Sequence, residues 1–486
     1  MVVELLEPDI RHRQEAGREA AGQGLAFDDR DALPGPAQPQ GHGQTKGAGT
    51  EDGGAGQDGA PSVTAPTIPG HPPIGGLYTS RPVNTRRARK LKHRITLHDF
   101  GGHPFTVQLA RALAGRGHEV LYLHAEGLKA PRGATTRRQA DPPTLSIESV
   151  GVDEPIHNAV GPRRYLQERR YAHALARRIR EYRPDVVVGA TGALEIQRAA
   201  QEAARDVDAA FVYWLQDVQS MAIARLLGSR SRVVGRLAGA RFASLERSLL
   251  RRADSVIAIT QDFMPMLRRW GIDGKRVTVL PNWAPLDELP YFAAPTDWAE
   301  RNGVDGRPIF LYAGTLGRKH DPSLLIALAE SVPTASVVVV SEGAGTNWLE
   351  RQATLPRNLT MRPPQPHAEL SPMLATADVL VALLSGDAGV FSVPSKVLSY
   401  LAAGRPILAA IPAANQAATT IQEAGAGAVI DPRDRAGFLA AAGHLAADPV
   451  ARSVAGLAGR RYAEHAFDIR TITDAFEVVL PGGMNG

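Results

Sequence analysis

Four stretches of the 486-residue chain put chemically capable side chains where a strand gives way to a helix. The first is His98-Asp99-Phe100-Gly101-Gly102-His103-Pro104. Its paired glycines let backbone N–H groups come close to an anion, and the helix start behind them adds about half a positive charge. The spacing is not Gly-x-Gly-x-x-Gly, so a dinucleotide fingerprint is absent. A tight structural turn would use the same two glycines. The second stretch is Tyr312-Ala313-Gly314-Thr315-Leu316-Gly317-Arg318-Lys319-His320, a glycine turn beside two cations. Lysine meets phosphate as a point charge, and arginine meets it through two N–H groups. A solvated charge pair at a helix start is the plainer alternative. The third is Phe391-Ser392-Val393-Pro394-Ser395-Lys396-Val397. Proline marks the first helical turn there. A lysine in that turn opposes the helix dipole unless an anion sits beside it. The fourth is Trp214-Leu215-Gln216-Asp217. Asp217 is placed to act as a base or to orient a hydroxyl, though aspartate at a strand end also forms turns and caps. His103, His320 and His367 lack metal-ligand spacing, so no metal is assigned.

Elements of alternating type must carry these turns. Strand-like runs are Ile95–Leu97, Val120–Leu123, Val186–Val188, Phe211–Trp214, Val256–Ile259 and Val277–Leu280. Longer helical stretches lie between several of them. The first helix has Phe105, Leu109, Ala112 and Leu113 on one face. After a connector at Ala284–Pro308, rich in Pro, Ala and Asp, a second series begins. Its strands are Ile309–Tyr312, Val337–Val340, Leu359–Met361, Val379–Leu383, Ile407–Ala409 and Ala428–Ile430. Alternation of this kind predicts parallel βαβ units. The α/β reading is therefore two doubly wound, Rossmann-like domains, at about 91–290 and 300–465, with ligand in the central cleft at the strand ends.

Residues 1–90 differ in composition. From Asp31 to Gly76, 20 of 46 residues are Gly or Pro, and such a segment cannot bury enough apolar surface to offset its ordering entropy. It reads as a disordered tail, with a short helix near Val3–Ala21. Its basic end, Leu77 to Arg94, holds seven Lys or Arg and no acid, against a formal net charge of +5 for the whole chain. The basicity is thus local and does not predict a nucleic-acid partner. Two helical stretches are also arginine-rich. Arg163–Arg183 has eight arginines and two glutamates, and Arg225–Arg252 has eight and one. The second carries an apolar stripe of Val234, Ala238, Phe242, Leu245 and Leu249. These fit core-facing helices with a solvated basic face, or a surface drawn to anionic lipid. No aromatic residues interleave as single-strand nucleic-acid binding needs. With no cysteine, disulfides, thiolate nucleophiles and cysteine-ligated metal centres are excluded, and a reducing compartment fits. No secretory signal is read at the N-terminus. No apolar run approaches the roughly 20 residues of a membrane span; Val397–Ala414 comes closest and is broken by Gly404-Arg405-Pro406. A cytoplasmic protein, peripheral at the inner membrane face, is expected.

From about Ile95 to Leu480 the chain resembles glycosyltransferase family 4, of the GT-B fold, and within it the colanic-acid and exopolysaccharide branch. The resemblance rests on an ordered set: Gly101-Gly102 with Gly117-His118-Glu119-Val120; Pro184-Asp185; Trp214 to Asp217; Ala253-Asp254-Ser255; Leu280-Pro281-Asn282-Trp283; Tyr312 to Gly317 with Lys319; Ala377-Asp378; and Pro394-Ser395-Lys396 with Ala403-Gly404-Arg405-Pro406. It implies a retaining, metal-independent hexosyltransferase that takes a nucleotide-diphosphate sugar, needs no cofactor, and serves a glycan or lipid-linked acceptor in envelope polysaccharide synthesis. Lys319 matches the family's phosphate-binding lysine, with Arg318 beside it, while the usual arginine position holds Thr315. Gly101 and Gly102 match the loop facing the donor phosphates, and Ser395 and Lys396 match the helix start placed at the diphosphate. Many members carry two glutamates separated by seven intervening residues before the Ala-x-Gly-x-Pro turn; here those positions hold Phe391 and Ser399, which leaves the sugar and ribose contacts open. Asp217 or His103 is then expected to orient the acceptor. The last segment, 466–486, is expected to cross back onto the first domain, with the connector as hinge. A nucleotide-sugar epimerase of the same fold, or a protein that only binds the nucleotide sugar, are the other readings; fold alone does not separate them.

Overall fold

Most strand-forming runs in the chain are followed by turn residues and a helical stretch, and these close into parallel βαβ units. A computed structural model describes residues 92–126, 133–151, 162–228, 232–293, 295–317, 319–386 and 394–480. All of them belong to one compact unit. The tail at 1–90 and Arg318 lie outside the described residues, as does Phe391.

The first sheet has seven strands: β1 (Arg94–Asp99), β2 (Glu119–Ala125), β3 (Leu145–Val150), β4 (Val186–Thr191), β5 (Ala210–Leu215), β6 (Ser255–Ala258) and β7 (Val277–Val279). Their order is β3-β2-β1-β4-β5-β6-β7, all parallel. The second sheet has β8 (Ile309–Ala313), β9 (Ser336–Val340), β10 (Leu359–Arg362), β11 (Val379–Leu383), β12 (Ile407–Ala410) and β13 (Gly427–Ile430), in the order β10-β9-β8-β11-β12-β13. Helices cover both faces, so β4, β8 and β11 are buried along their whole length. In both sheets the strand order reverses beside the first strand, between β1 and β4 and between β8 and β11. The crevice at the carboxyl ends of such a pair is the ligand site of doubly wound folds.

Two features depart from the sequence reading. β3 was not anticipated: it is an edge strand with only Leu145 and Val150 buried, too weakly apolar to stand out, and its place is fixed by pairing with β2. The connector is also more structured than its composition suggests. It holds a short helix, Trp298–Arg301, and buries Ala284, Leu289 and Trp298.

The chain ends on the first domain. Helix Ile469–Val479 lays Phe476 against Trp214 with ring centroids 5.5 Å apart. Arg116 holds the same helix by ion pairs to Asp474 and Glu477 at 2.5 and 3.0 Å. The carboxyl ends of the two sheets meet where Thr260, after β6, donates to Gln416 Oε1 at 3.2 Å, at the start of the helix after β12. His367 and Glu288 form a second link, at 3.0 Å.

Candidate functional site

The reversal point of the first sheet is organised around one carboxylate. Asp99 ends β1 and is fully buried. It accepts hydrogen bonds from the backbone N–H of Gly101 at 3.2 Å and of His103 at 2.5 Å. The Thr106 hydroxyl donates at 2.5 Å and the Tyr122 hydroxyl at 3.2 Å. The Thr191 hydroxyl, at the end of β4, donates as well. His103 Nδ1 lies 2.8 and 2.9 Å from its two oxygens. Burial alone would raise the Asp99 pKa; the His103 ring and the Thr106 and Thr191 hydroxyls outweigh it and hold the carboxyl far below the usual carboxylate range. The turn after β1 therefore folds round an ionised group.

Gly101 and Gly102 serve that turn in different ways. A Cβ on Gly101 would stand 2.0 Å from His103 Cε1, so only glycine leaves room for the imidazole. Gly102 has φ +68, in the left-handed region that favours glycine. The first helix, Pro104–Gly115, starts here, with His103 at its N-cap. Next to Asp99, His98 is fully buried against the Tyr171 hydroxyl at 3.0 Å, and burial lowers its pKa to about 4. It is a neutral core histidine.

Asp217 stands two strands away, beyond β5, and is half-buried. Gln216 before it exchanges amide hydrogen bonds with Asn282 at 2.6 and 3.3 Å. Behind it, Glu246 is buried and accepts from the N–H groups of Gln219 and Ser220 and from the Ser220 hydroxyl. Burial pushes Glu246 up to about 7, and the charge on Asp217 adds to that shift.

The second domain gathers its candidates round the end of β8. Gly314 has φ +104, and Thr315 follows with its carbonyl accepting from the Tyr312 hydroxyl at 2.8 Å. The Lys319 carbonyl accepts from Ser385 N–H at 2.8 Å, which ties the turns after β8 and β11 together. Helix Lys396–Ala403 points its N-terminus at the same place. Its Tyr400 hydroxyl accepts from Ala313 N–H at 3.0 Å. Ser395 is exposed at the N-cap and makes no capping bond; Ser399 is half-buried one turn on. Lys396 Nζ sits 3.7 Å from the centroid of the Tyr312 ring. A cation–π contact thus offsets part of the dipole misfit read from the sequence. Lys396 thus lies at the Gly314 turn, Thr315 follows in that turn, Ser395 precedes Lys396 at the helix start, and Lys319 is tied by its backbone to the turn after β11; Arg318 lies outside the described residues. Among the described residues no cluster of three or more His, Asp or Glu stands ready to hold a metal ion.

Asp99 is the functional residue that sequence reasoning misses. Its partners Tyr122 and Thr191 lie 23 and 92 residues away, and no local pattern announces them. The signal available was the pair Asp99 and His103, four residues apart round two glycines.

Residues 100–283 match a model described as a glycosyl transferase 4-like domain, and residues 307–448 match one described as glycosyl transferases group 1. A probable glycosyltransferase WbjE of Pseudomonas aeruginosa is 26% identical over 196 residues, which are 37% of this chain and 47% of that protein. The match thus spans about half of that relative's length. Among solved structures, HepE of Anabaena in complex with UDP-glucose superposes with a TM-score of 0.56 and 16% identity, over 79% of this chain and 97% of that one. Sucrose-phosphate synthase of Thermosynechococcus elongatus gives 0.60 and 17%, over the same shares. At these identities the likeness is one of fold.

Proposed function

The chain belongs to the family 4-like glycosyltransferases of the GT-B fold, and from that premise we propose that it moves a hexose from a nucleotide-diphosphate sugar to a glycan or lipid-linked acceptor, with retention and without a metal or other cofactor. One observation carries the reading: the start of helix Lys396–Ala403 meets the end of β8 at Gly314, and the backbone of Lys319 ties the turn after β8 to the turn after β11. A departing nucleoside diphosphate gathers charge on two phosphates. Cations and oriented N–H groups in a water-poor cleft stabilise that charge. HepE of Anabaena, solved with UDP-glucose and with UDP, makes a uridine nucleotide the first donor to try. In this reading Gly101 and Gly102 face the donor from the other domain, and His103 or Asp217 orients the acceptor.

An acceptor in envelope polysaccharide synthesis puts the enzyme at the inner membrane face. Helix Pro162–Tyr182 supports that placement. Tyr165 and Leu166 are exposed on it, at 46% and 54%, next to the basic side chains of Arg169, Arg170 and Arg177. Among the described residues no helix is long and apolar enough to cross a membrane.

A thermal-shift panel with UDP, GDP, dTDP and ADP tests the donor site. A ligand at 100 times its Kd stabilises by about 2.7 kcal/mol. The expected result is a shift with one diphosphate that disappears in Lys319→Ala. No shift with any of them would leave the transferase reading without its donor.

A further inference from the structure

We propose that Asp99 is a positioning residue that fixes the proton of His103 on Nδ1 and so presents Nε2 as a hydrogen-bond acceptor for a substrate hydroxyl. The proposal rests on the transferase reading above and adds to it the atom that receives the substrate. An ionised carboxylate only accepts hydrogen bonds. Asp99 is kept ionised by six donor groups from five residues, so the ring nitrogen facing it must carry the hydrogen. In a neutral imidazole the other nitrogen then holds a lone pair. His103 is 8% exposed, and its Nε2 is buried with no hydrogen-bond partner among the described residues. Burying such an atom unpaired is costly. The ring nevertheless has no freedom to turn outward. Its backbone N–H and its Nδ1 are both bonded to Asp99, and it lies directly over Gly101. An unpaired acceptor, held rigidly at the reversal point between β1 and β4, fits a hydroxyl that arrives with the substrate.

The hydroxyl belongs either to the donor sugar or to the acceptor, and binding separates the two. The test uses the full chain with 15N-labelled histidine. The His103 signals, identified by their loss in His103→Gln, are expected to show a protonated Nδ1 and a bare Nε2. In Asp99→Asn, whose amide can donate to Nδ1, the tautomer is expected to invert or mix. With nucleotide sugars built on the diphosphate that the stability panel selects, turnover in Asp99→Asn, read as release of that diphosphate, should fall about 100-fold or more, the scale of a lost proton-handling group. Affinity for the nucleoside diphosphate should stay within about twofold, because the phosphate groups keep their partners. Weaker binding of the nucleotide sugar alone assigns the hydroxyl to the donor. Unchanged binding with slow transfer assigns it to the acceptor. His103→Gln keeps an acceptor oxygen and should retain more turnover than His103→Ala, which guards against a misfolded Asp99→Asn. A wild-type His103 protonated on Nε2 overturns the proposal, and so does an Asp99→Asn protein that keeps both tautomer and turnover. If the tautomer is as stated but no nucleotide sugar binds, the transferase reading fails and the substrate hydroxyl falls with it, while the proton placement stands.

Discussion

The Cβ that Gly101 lacks would fall 2.0 Å from one ring atom of His103 and 2.7 Å from Nε2. Gly101→Ala must therefore push the imidazole off Asp99 or open the turn. Overpacking of this kind costs about 1–3 kcal/mol, and the same substitution in a His103→Ala background should cost little. A double-mutant cycle by denaturant unfolding reads the difference; equal costs in both backgrounds would show that the ring is not what the glycine makes room for. The residue scale is also where the sequence was least complete. Glycines, lysines and a proline-led helix start are legible by type and spacing, and Gly314 and Lys396 do meet at the end of β8. What holds them is not local. Tyr312 lies under Lys396, Tyr400 reaches back to Ala313, and Thr191 reaches across to Asp99. Side-chain contacts across a fold carry no period, so Asp99 stayed within its motif unremarked.

Strands and helices were more legible, because burial on both faces of a parallel sheet writes continuous apolar runs. β4 and β11 are of that kind. β3 shows the opposite case: an edge strand with its ends alone buried leaves no run to read. The helices of the arginine-rich stretches illustrate a third. Arg178 pairs with Glu148 and Arg180 with Asp206 on neighbouring elements, and Arg164 pairs with Glu168 of its own helix, so part of the apparent basic face is neutralised. Helix Arg232–Arg252 also hides its one acid. Glu246 points inward and caps helix Gln219–Gly228 through the N–H groups of Gln219 and Ser220. Burial pushes its carboxyl up to about 7 in the folded chain, from an ordinary 4.5. The folded state therefore holds a proton that the unfolded chain releases. The stability this gives is complete below about pH 4.5 and is lost as pH rises through 7. Across that window wild type should lose up to about 3 kcal/mol from this group. Glu246→Gln should flatten the difference, measured as unfolding free energy at pH 5 and pH 8. A parallel pH dependence in the two proteins would mean that Glu246 ionises normally.

At the scale of the whole molecule, the domains are joined by the connector, by helix Ile469–Val479 returning to the first domain, and by polar contacts near the cleft. The returning helix is anchored by a buried aromatic and by ion pairs, which suits a fixed attachment. The contacts nearer the strand ends are single hydrogen bonds and one histidine–carboxylate pair, which suits an attachment that breaks and re-forms. Closing of one domain on the other would bring Lys319 and the His103 turn onto one substrate, and reopening would release product. Product release of this type often limits turnover. A chain without cysteine lets this be tested cleanly. Thr260→Cys with Gln416→Cys replaces the side chains that meet at 3.2 Å across the cleft. Bridged by a short bifunctional thiol reagent whose bonds to sulfur are disulfides, the pair should lower kcat by about tenfold or more while leaving nucleotide affinity nearly unchanged, and reduction should restore the rate; each tenfold step corresponds to about 1.4 kcal/mol on the limiting barrier. Each single-cysteine protein, under the same reagent, controls for damage elsewhere. Full turnover in the cross-linked protein would place the working motion in the loops at the strand ends, with the two sheets fixed against each other throughout the cycle.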